Sequence, residues 1–153
     1  MKCLVKVIDI LHSIIKQINE QMPKSKHELG EYTGENDTFC YYLPFVKSKQ
    51  NTKFTKETLI DIQIIYHGNI NYVGQTSLKE KLDTKEKLEY FLSQFILKVD
   101  DRTLSFDYDI GETDGELMIN ISFRYLDDVI DLEYNESQLR EKIKNINFER
   151  VIE

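Results

Sequence analysis

The sequence predicts an α+β domain. Two helices pack on one face of an antiparallel sheet of about four strands, in the order α-β-β-α-β-β, with a C-terminal tail. Three observations predict it. Apolar residues recur at steps of three and four in 3–22 and again from Leu88 to Ile96. Apolar and polar residues alternate strictly in 102–110 and 117–125. Asp114-Gly115, a tight-hairpin dipeptide, lies between those two runs.

The first helix carries Leu4, Val7, Ile8, Leu11, Ile14, Ile15, Ile18 and Met22 on one face, and Pro23 stops it. Residues 24–37 lack periodicity and contain two glycines, which reads as a loop with at most a short extended piece. Aromatic density over 38–46 predicts a strand with Phe39, Tyr41, Leu43 and Phe45 on one face. Pro44 cannot donate to a ladder and marks an edge position or the strand's end. A second strand over 57–66 places Ile60, Ile62, Ile64 and Tyr66 opposite Asp61 and Gln63. The ten or so Lys-rich residues between them form an extended hairpin tip if the strands pair.

Residues 67–83 read as a polar connector. Asp83-Thr84-Lys85-Glu86 resembles a capping box and starts a second helix that carries Leu88, Phe91, Leu92, Phe95 and Ile96 and ends near Val99. Two strands follow. The first sets Leu104, Phe106, Tyr108 and Ile110 on one face, and the second does the same with Leu117, Ile119, Ile121, Phe123 and Tyr125. The expected core joins these faces to Leu11, Ile15, Leu88, Phe91 and Phe95. Each half is a helix followed by a hairpin, although the two sequences are not visibly alike. Length favours one domain over 1–126, with 127–153 as an extension in which Asn135 is placed to cap a short helix.

Composition excludes several functions. The chain has 27 acidic against 20 basic residues, so a general phosphate-neutralising surface is not expected. Apolar runs reach about five residues, too few for a membrane span. Lys6, Asp9, His12 and Lys16 interrupt the N-terminal segment, unlike a signal peptide. Cys3 and Cys40 are too few for a disulfide scaffold and read as small apolar residues.

No catalytic, metal or cofactor residues are assigned. The cluster Asp107, Asp109, Glu112, Asp114 and Glu116 fails as a calcium loop. Counted from Asp107, position five is Gly111, position six Glu112 and position twelve Met118. An exposed acidic hairpin explains it. His12, His27 and His67 are scattered, and the glycines match no phosphate-binding spacing. Lys47, Lys49, Lys53 and Lys56 surround Phe54. They suit a soluble projecting hairpin or an acidic partner better than single-stranded nucleic acid. With Asn69, Asn71 and Tyr72 of the polar connector and Asp127 and Asp128 of the extension, they are the candidate contact residues.

The order of elements, the run Leu97-Lys-Val-Asp-Asp-Arg-Thr-Leu-Ser-Phe106 and the run Asp114-Gly-Glu-Leu-Met-Ile-Asn-Ile-Ser-Phe-Arg-Tyr-Leu126 resemble phage tail terminator (tail completion) proteins of Firmicutes phages. The resemblance spans roughly residues 5–145 and rests on alternation, not on catalytic signatures. It implies a non-enzymatic subunit of a ring, usually of six, on the head-proximal end of a tail tube. The implied partners are further copies of the chain, the tube protein, a neck or connector protein and, in a contractile tail or headless bacteriocin, the sheath. It implies assembly in the bacterial cytoplasm and residence in the particle, with no cofactor, membrane or specific nucleic acid. The residues alone leave open a small adaptor or inhibitor that binds one protein through a sheet edge, and an enzyme with a site built from scattered acids and histidines.

Overall fold

The computed structural model describes residues 5–69 and 75–128. Two helices and six strands follow one another as α1 (Val7–Gln21), β1 (Lys26–Leu29), β2 (Thr38–Gln50), β3 (Thr55–His67), α2 (Leu78–Leu92), β4 (Ile96–Val99), β5 (Arg102–Thr113) and β6 (Glu116–Asp128). The strands form one mixed sheet in the order β1-β2-β3-β6-β5-β4. The α+β class holds, but six strands replace the expected four or so. The extra two, β1 and β4, have four residues each, too few to show alternation in the sequence. β1 pairs parallel to β2, from Lys26↔Thr38 to Leu29↔Tyr41. The remaining pairs are antiparallel.

The described residues form two similar halves. Each is a fifteen-residue helix, a four-residue strand and a long hairpin. The halves meet at β3 and β6, which pair from Thr55↔Asp128 to Tyr66↔Leu117. On one face of that seam Ile60, Ile62, Ile64 and Tyr66 lie beside Leu117, Ile119, Ile121 and Phe123, all buried. Ile18 of α1 and Leu88, Phe91 and Leu92 of α2 pack together over Ile64, Ile119 and Ile121. Phe106 of β5 completes the layer, its ring 5.5 Å from those of Phe91 and Phe123. Among the described residues, no helix is long and apolar enough to cross a membrane.

The helices depart from their sequence expectations in instructive ways. In α1 the fully buried line is Ile10, Ile14 and Ile18. Ile10 was not on the expected face, while Ile8 is exposed and Leu11 and Ile15 pack at the margin. α2 starts at Leu78, not at Asp83. The Ser77 hydroxyl caps it by accepting from the Glu80 amide at 3.3 Å. The first turns are hard to read because Leu78 and Leu82 point to solvent, while Lys81 and Thr84 are buried. The helix also stops early, at Leu92. Phe95 takes a φ of 58° and turns the chain into β4, so 96–99 is strand and not helix. The Phe95 ring is exposed at the rim, 5.4 Å from Tyr108, and is not a core residue.

β2 corrects a second expectation. Its register with β3 shifts between Tyr42 and Phe45: Tyr42 pairs with Gln63, but Phe45 pairs with Asp61. One extra residue bulges out at Leu43-Pro44, and the shift reverses every later side chain. Phe39 and Tyr41 are buried beneath the helices, whereas Phe45 shares the other face with Asp61. Pro44 is accommodated because β1 covers β2 only as far as Tyr41. At the other hairpin, Thr113↔Glu116 closes a two-residue loop with φ of 49° at Asp114 and 80° at Gly115, as the dipeptide predicts. The segment after 128, including the helix expected at Asn135, lies outside the described residues.

Phe106 is nearly fully buried among three aromatic rings. Phe106→Ala should destabilise the fold by about 3–5 kcal/mol in chemical denaturation. A loss near zero would place that face of β5 in solvent.

Candidate functional site

Beyond the bulge, β2 and β3 continue as a paired arm whose outer strand is β2, since β3 stays paired with β6 out to Thr55↔Asp128. Every residue from 43 to 50 is exposed, and Leu43, Phe45 and Val46 show 42–45% of their surface. The ladder runs out to Gln50↔Lys56, and the tip closes where the Asn51 and Thr52 amides donate to the Thr55 carbonyl at 3.0 and 3.1 Å. The Thr52 hydroxyl accepts from the Phe54 and Thr55 amides. Lys53 lies 5.4 Å above the Phe54 ring. Lys47 and Lys49 pair with Leu59 and Glu57 on the helix-free face. The fold thus gathers Lys47, Lys49, Lys53, Phe54 and Lys56 onto one arm, as the sequence expects of a hairpin tip.

The other candidates divide. Asp127 is level with Lys56 and Asp128 with Thr55, both at the root of the tip. The Asp127 carboxylate, however, is only 3% exposed. It accepts from the Arg102 guanidinium and, at 3.5 Å, from the Val5 amide. Arg102 also donates to the Leu126 carbonyl at 2.8 Å. Asp127 is therefore an internal clamp between the N-terminal segment, β5 and β6, not a contact offered to a partner. Asn69 lies at the opposite end of the sheet, where its amide donates to the Glu80 carboxylate at 3.0 and 3.1 Å. Asn71 and Tyr72 lie outside the described residues.

A buried polar cluster at that opposite end escaped sequence reasoning. Glu116, 6% exposed, accepts from the Thr76 amide at 3.1 Å and from the Thr76 hydroxyl at 2.6 Å. The same hydroxyl accepts from the Gly68 amide at 3.0 Å. His67 Nδ1 stands 3.5 Å from Glu116, and its ring stacks on Tyr32 at 3.7 Å. Lys81 donates to the Gly115 carbonyl at 3.0 Å and pairs with Glu112 at 2.7 Å. A side chain at Gly115 would begin 2.6 Å from Gln75. These contacts fasten the start of α2 and the end of β3 to the β5–β6 turn. Forty residues separate Thr76 from Glu116, so no local motif could have signalled the pair.

The cluster holds loops together and is poorly suited to nucleophilic chemistry. Burial lowers the His67 pKa and outweighs the Glu116 carboxylate, so the imidazole is neutral near pH 7 and the contact is not an ion pair. Burial, then Glu28, pushes the Cys40 thiol up to about 11, leaving it protonated and inert. Among the described residues no buried side-chain polar atom lacks a partner, and no group of three or more His, Cys, Asp and Glu is placed to hold a metal. On the helix-free face, a groove of about 580 Å³ runs past Leu59, Asp61, Asp107, Ser122 and Arg124, with Ser122 donating to Asp61 at 2.6 Å. No protein-family model matches the chain, and no curated protein matches it.

His27 is likewise held below the ordinary value of 6.5 by burial, between Tyr41 at 2.8 Å and Ser25 at 3.2 Å. Both imidazoles therefore take up protons more readily when the chain unfolds. Their contribution to stability is complete above about pH 6.5 and is lost as pH falls through the lowered folded values. Thermal melts should show the midpoint falling from pH 7 to pH 5. The double substitution His27→Gln with His67→Gln should flatten that fall; an unchanged slope would contradict the buried, neutral histidines.

Proposed function

We propose that this chain is a structural ring subunit that caps the head-proximal end of a phage or bacteriocin tail tube and ends its polymerisation without catalysis. The observation that carries the reading is the arm. The β2–β3 hairpin carries four lysines, and along 43–50 its β2 strand presents an uncovered edge with Leu43, Phe45, Val46, Lys47 and Lys49, while β3 stays paired with β6. Uncovered edges serve as docking strands in proteins that assemble, and here Pro44, the bulge and the two lysines restrict which strand can add to it. Among the described residues the polar clusters of the core are satisfied internally, and the arm and the sheet edges are the groups left to engage other chains. The resemblance of 97–126 to tail terminators supplies the kind of assembly. Further copies, the tube protein and, in a contractile tail, the last layer of sheath are the partners, with a neck or connector protein above. The net charge of −7, repeated around a lumen, would repel DNA phosphates and let a genome pass.

The same uncovered edge favours one competing reading, a small adaptor that binds a single partner by strand addition. Deleting the gene from a producing strain and imaging the particles separates the two. Loss of a terminator should give tubes of uncontrolled length or tails without a finished upper end. Tails of normal length with normal upper ends would contradict the terminator reading.

A further inference from the structure

The two edges of the sheet have complementary outlines. β1 fills one edge low down, beside Thr38–Tyr41, and leaves β2 uncovered along 43–50. β4 fills the other edge high up, beside 102–105, and leaves β5 uncovered along 107–113. The register fixes the levels. Leu29 is level with Tyr41, Ile64, Ile119 and finally Ile110 on β5. Phe106 is level with Phe123, Ile60 and Val46, so Ser105 and its partner Ile96 fall level with Lys47 on β2. β4 therefore stands at the height of the notch beside β2, and β1 at the height of the notch beside β5.

We propose that copies of this chain interlock edge to edge, with β4 of one copy seated along 47–50 of the next and β1 of that copy seated along 110–113 of the first. The inference rests on the ring reading and names the surface that would make the ring. Strand directions are compatible, since β4 runs parallel to β2 and β1 antiparallel to β5. Side chains also fall on matching faces. Leu29, exposed in the single chain, meets Ile110 on the helix side. Ile96, exposed in the single chain, comes level with Lys47 on the helix-free side, where it can pack on the aliphatic part of the lysine side chain. Charge agrees as well. Lys47 and Lys49 line the β2 edge on the helix-free face, and Asp107, level with Phe45 and so two residues from Lys47, lies with Asp109 on the β5 edge of that face, so the attraction across the contact is diagonal. Lys98 comes level with Lys49, and Glu57, paired with Lys49, offsets the repulsion. The contact joins two different surfaces, so it is head-to-tail and can repeat around a ring.

Charge exchange tests this on the full chain by light scattering, at a concentration where the parent assembles. Lys47→Glu with Lys49→Glu makes both edges acidic, and Asp107→Lys with Asp109→Lys makes both basic. Each variant alone should have the mass of one chain, with parental circular dichroism. An equimolar mixture, able to alternate around the ring, should recover the parental mass. A parent that assembles while either variant also does, or while the mixture stays dissociated, overturns the interlock and leaves the ring reading standing. A parent of single-chain mass at every concentration overturns the ring reading itself. A second variant covers misfolding: Leu29→Cys with Ile110→Cys should give ladders of disulfide-linked chains on mild oxidation, and their absence in an assembling parent overturns the interlock.

Discussion

The antiparallel seam between β3 and β6 is the constraint on which everything else depends. It joins the halves through an uninterrupted register from Thr55↔Asp128 to Tyr66↔Leu117, and it carries the apolar ridge on which both helices rest. Without it neither half has a covered sheet. Each would be a helix over a short strand and one hairpin, and isolated hairpins are marginal in water. Because the seam is central, the irregular features are displaced to the periphery. The bulge at Leu43-Pro44 lies on β2, and the short strands β1 and β4 form the sheet's edges.

The polar contacts extend the seam at both ends. At the low end, Glu116 at the start of β6 holds Thr76 and faces His67 at the end of β3. At the high end, Asp127 near the end of β6 holds Arg102 of β5 and the amide of Val5. Both carboxylates are buried, and a buried carboxylate is tolerable only when it is paired and hydrogen-bonded. Their common effect is to fasten each end of β6 to segments distant in the chain, so that the edge strands project from a stiff frame. A stiff frame with unfinished edges suits assembly, because little ordering entropy is lost when a second chain docks.

Much of this frame was legible in the sequence. Alternation at Ile60, Ile62, Ile64 and Tyr66 and at Leu117, Ile119, Ile121 and Phe123 identified both seam strands, since one face is wholly buried and the other meets solvent. Asp114-Gly115 identified its turn because two successive positive φ values demand such residues. The start of α2 leaves no apolar signal because its inward positions hold Lys81 and Thr84, which satisfy polar partners instead of filling the core. Its real signal was Ser77 followed by Glu80, but the Glu80 carboxylate is diverted to Asn69 and Tyr66. Phe45 falls on the opposite face from the one alternation predicts, because the bulge that reverses it leaves no mark beyond Pro44. On the arm, the lysines around Phe54 showed as a basic stretch. Nothing local revealed that Asp127 is buried, since its partners Arg102 and Val5 are distant in the chain.

Native-state hydrogen exchange, followed amide by amide, tests the central role of the seam most directly. The expected result is that bonded amides of Ile60–Tyr66 and Leu117–Phe123 exchange together, at the free energy of global unfolding, while those of β1 and of the arm beyond Leu43 exchange at lower free energy. If β3 and β6 instead exchanged at clearly different free energies, the halves would be opening independently. The seam could not then be what holds the fold together.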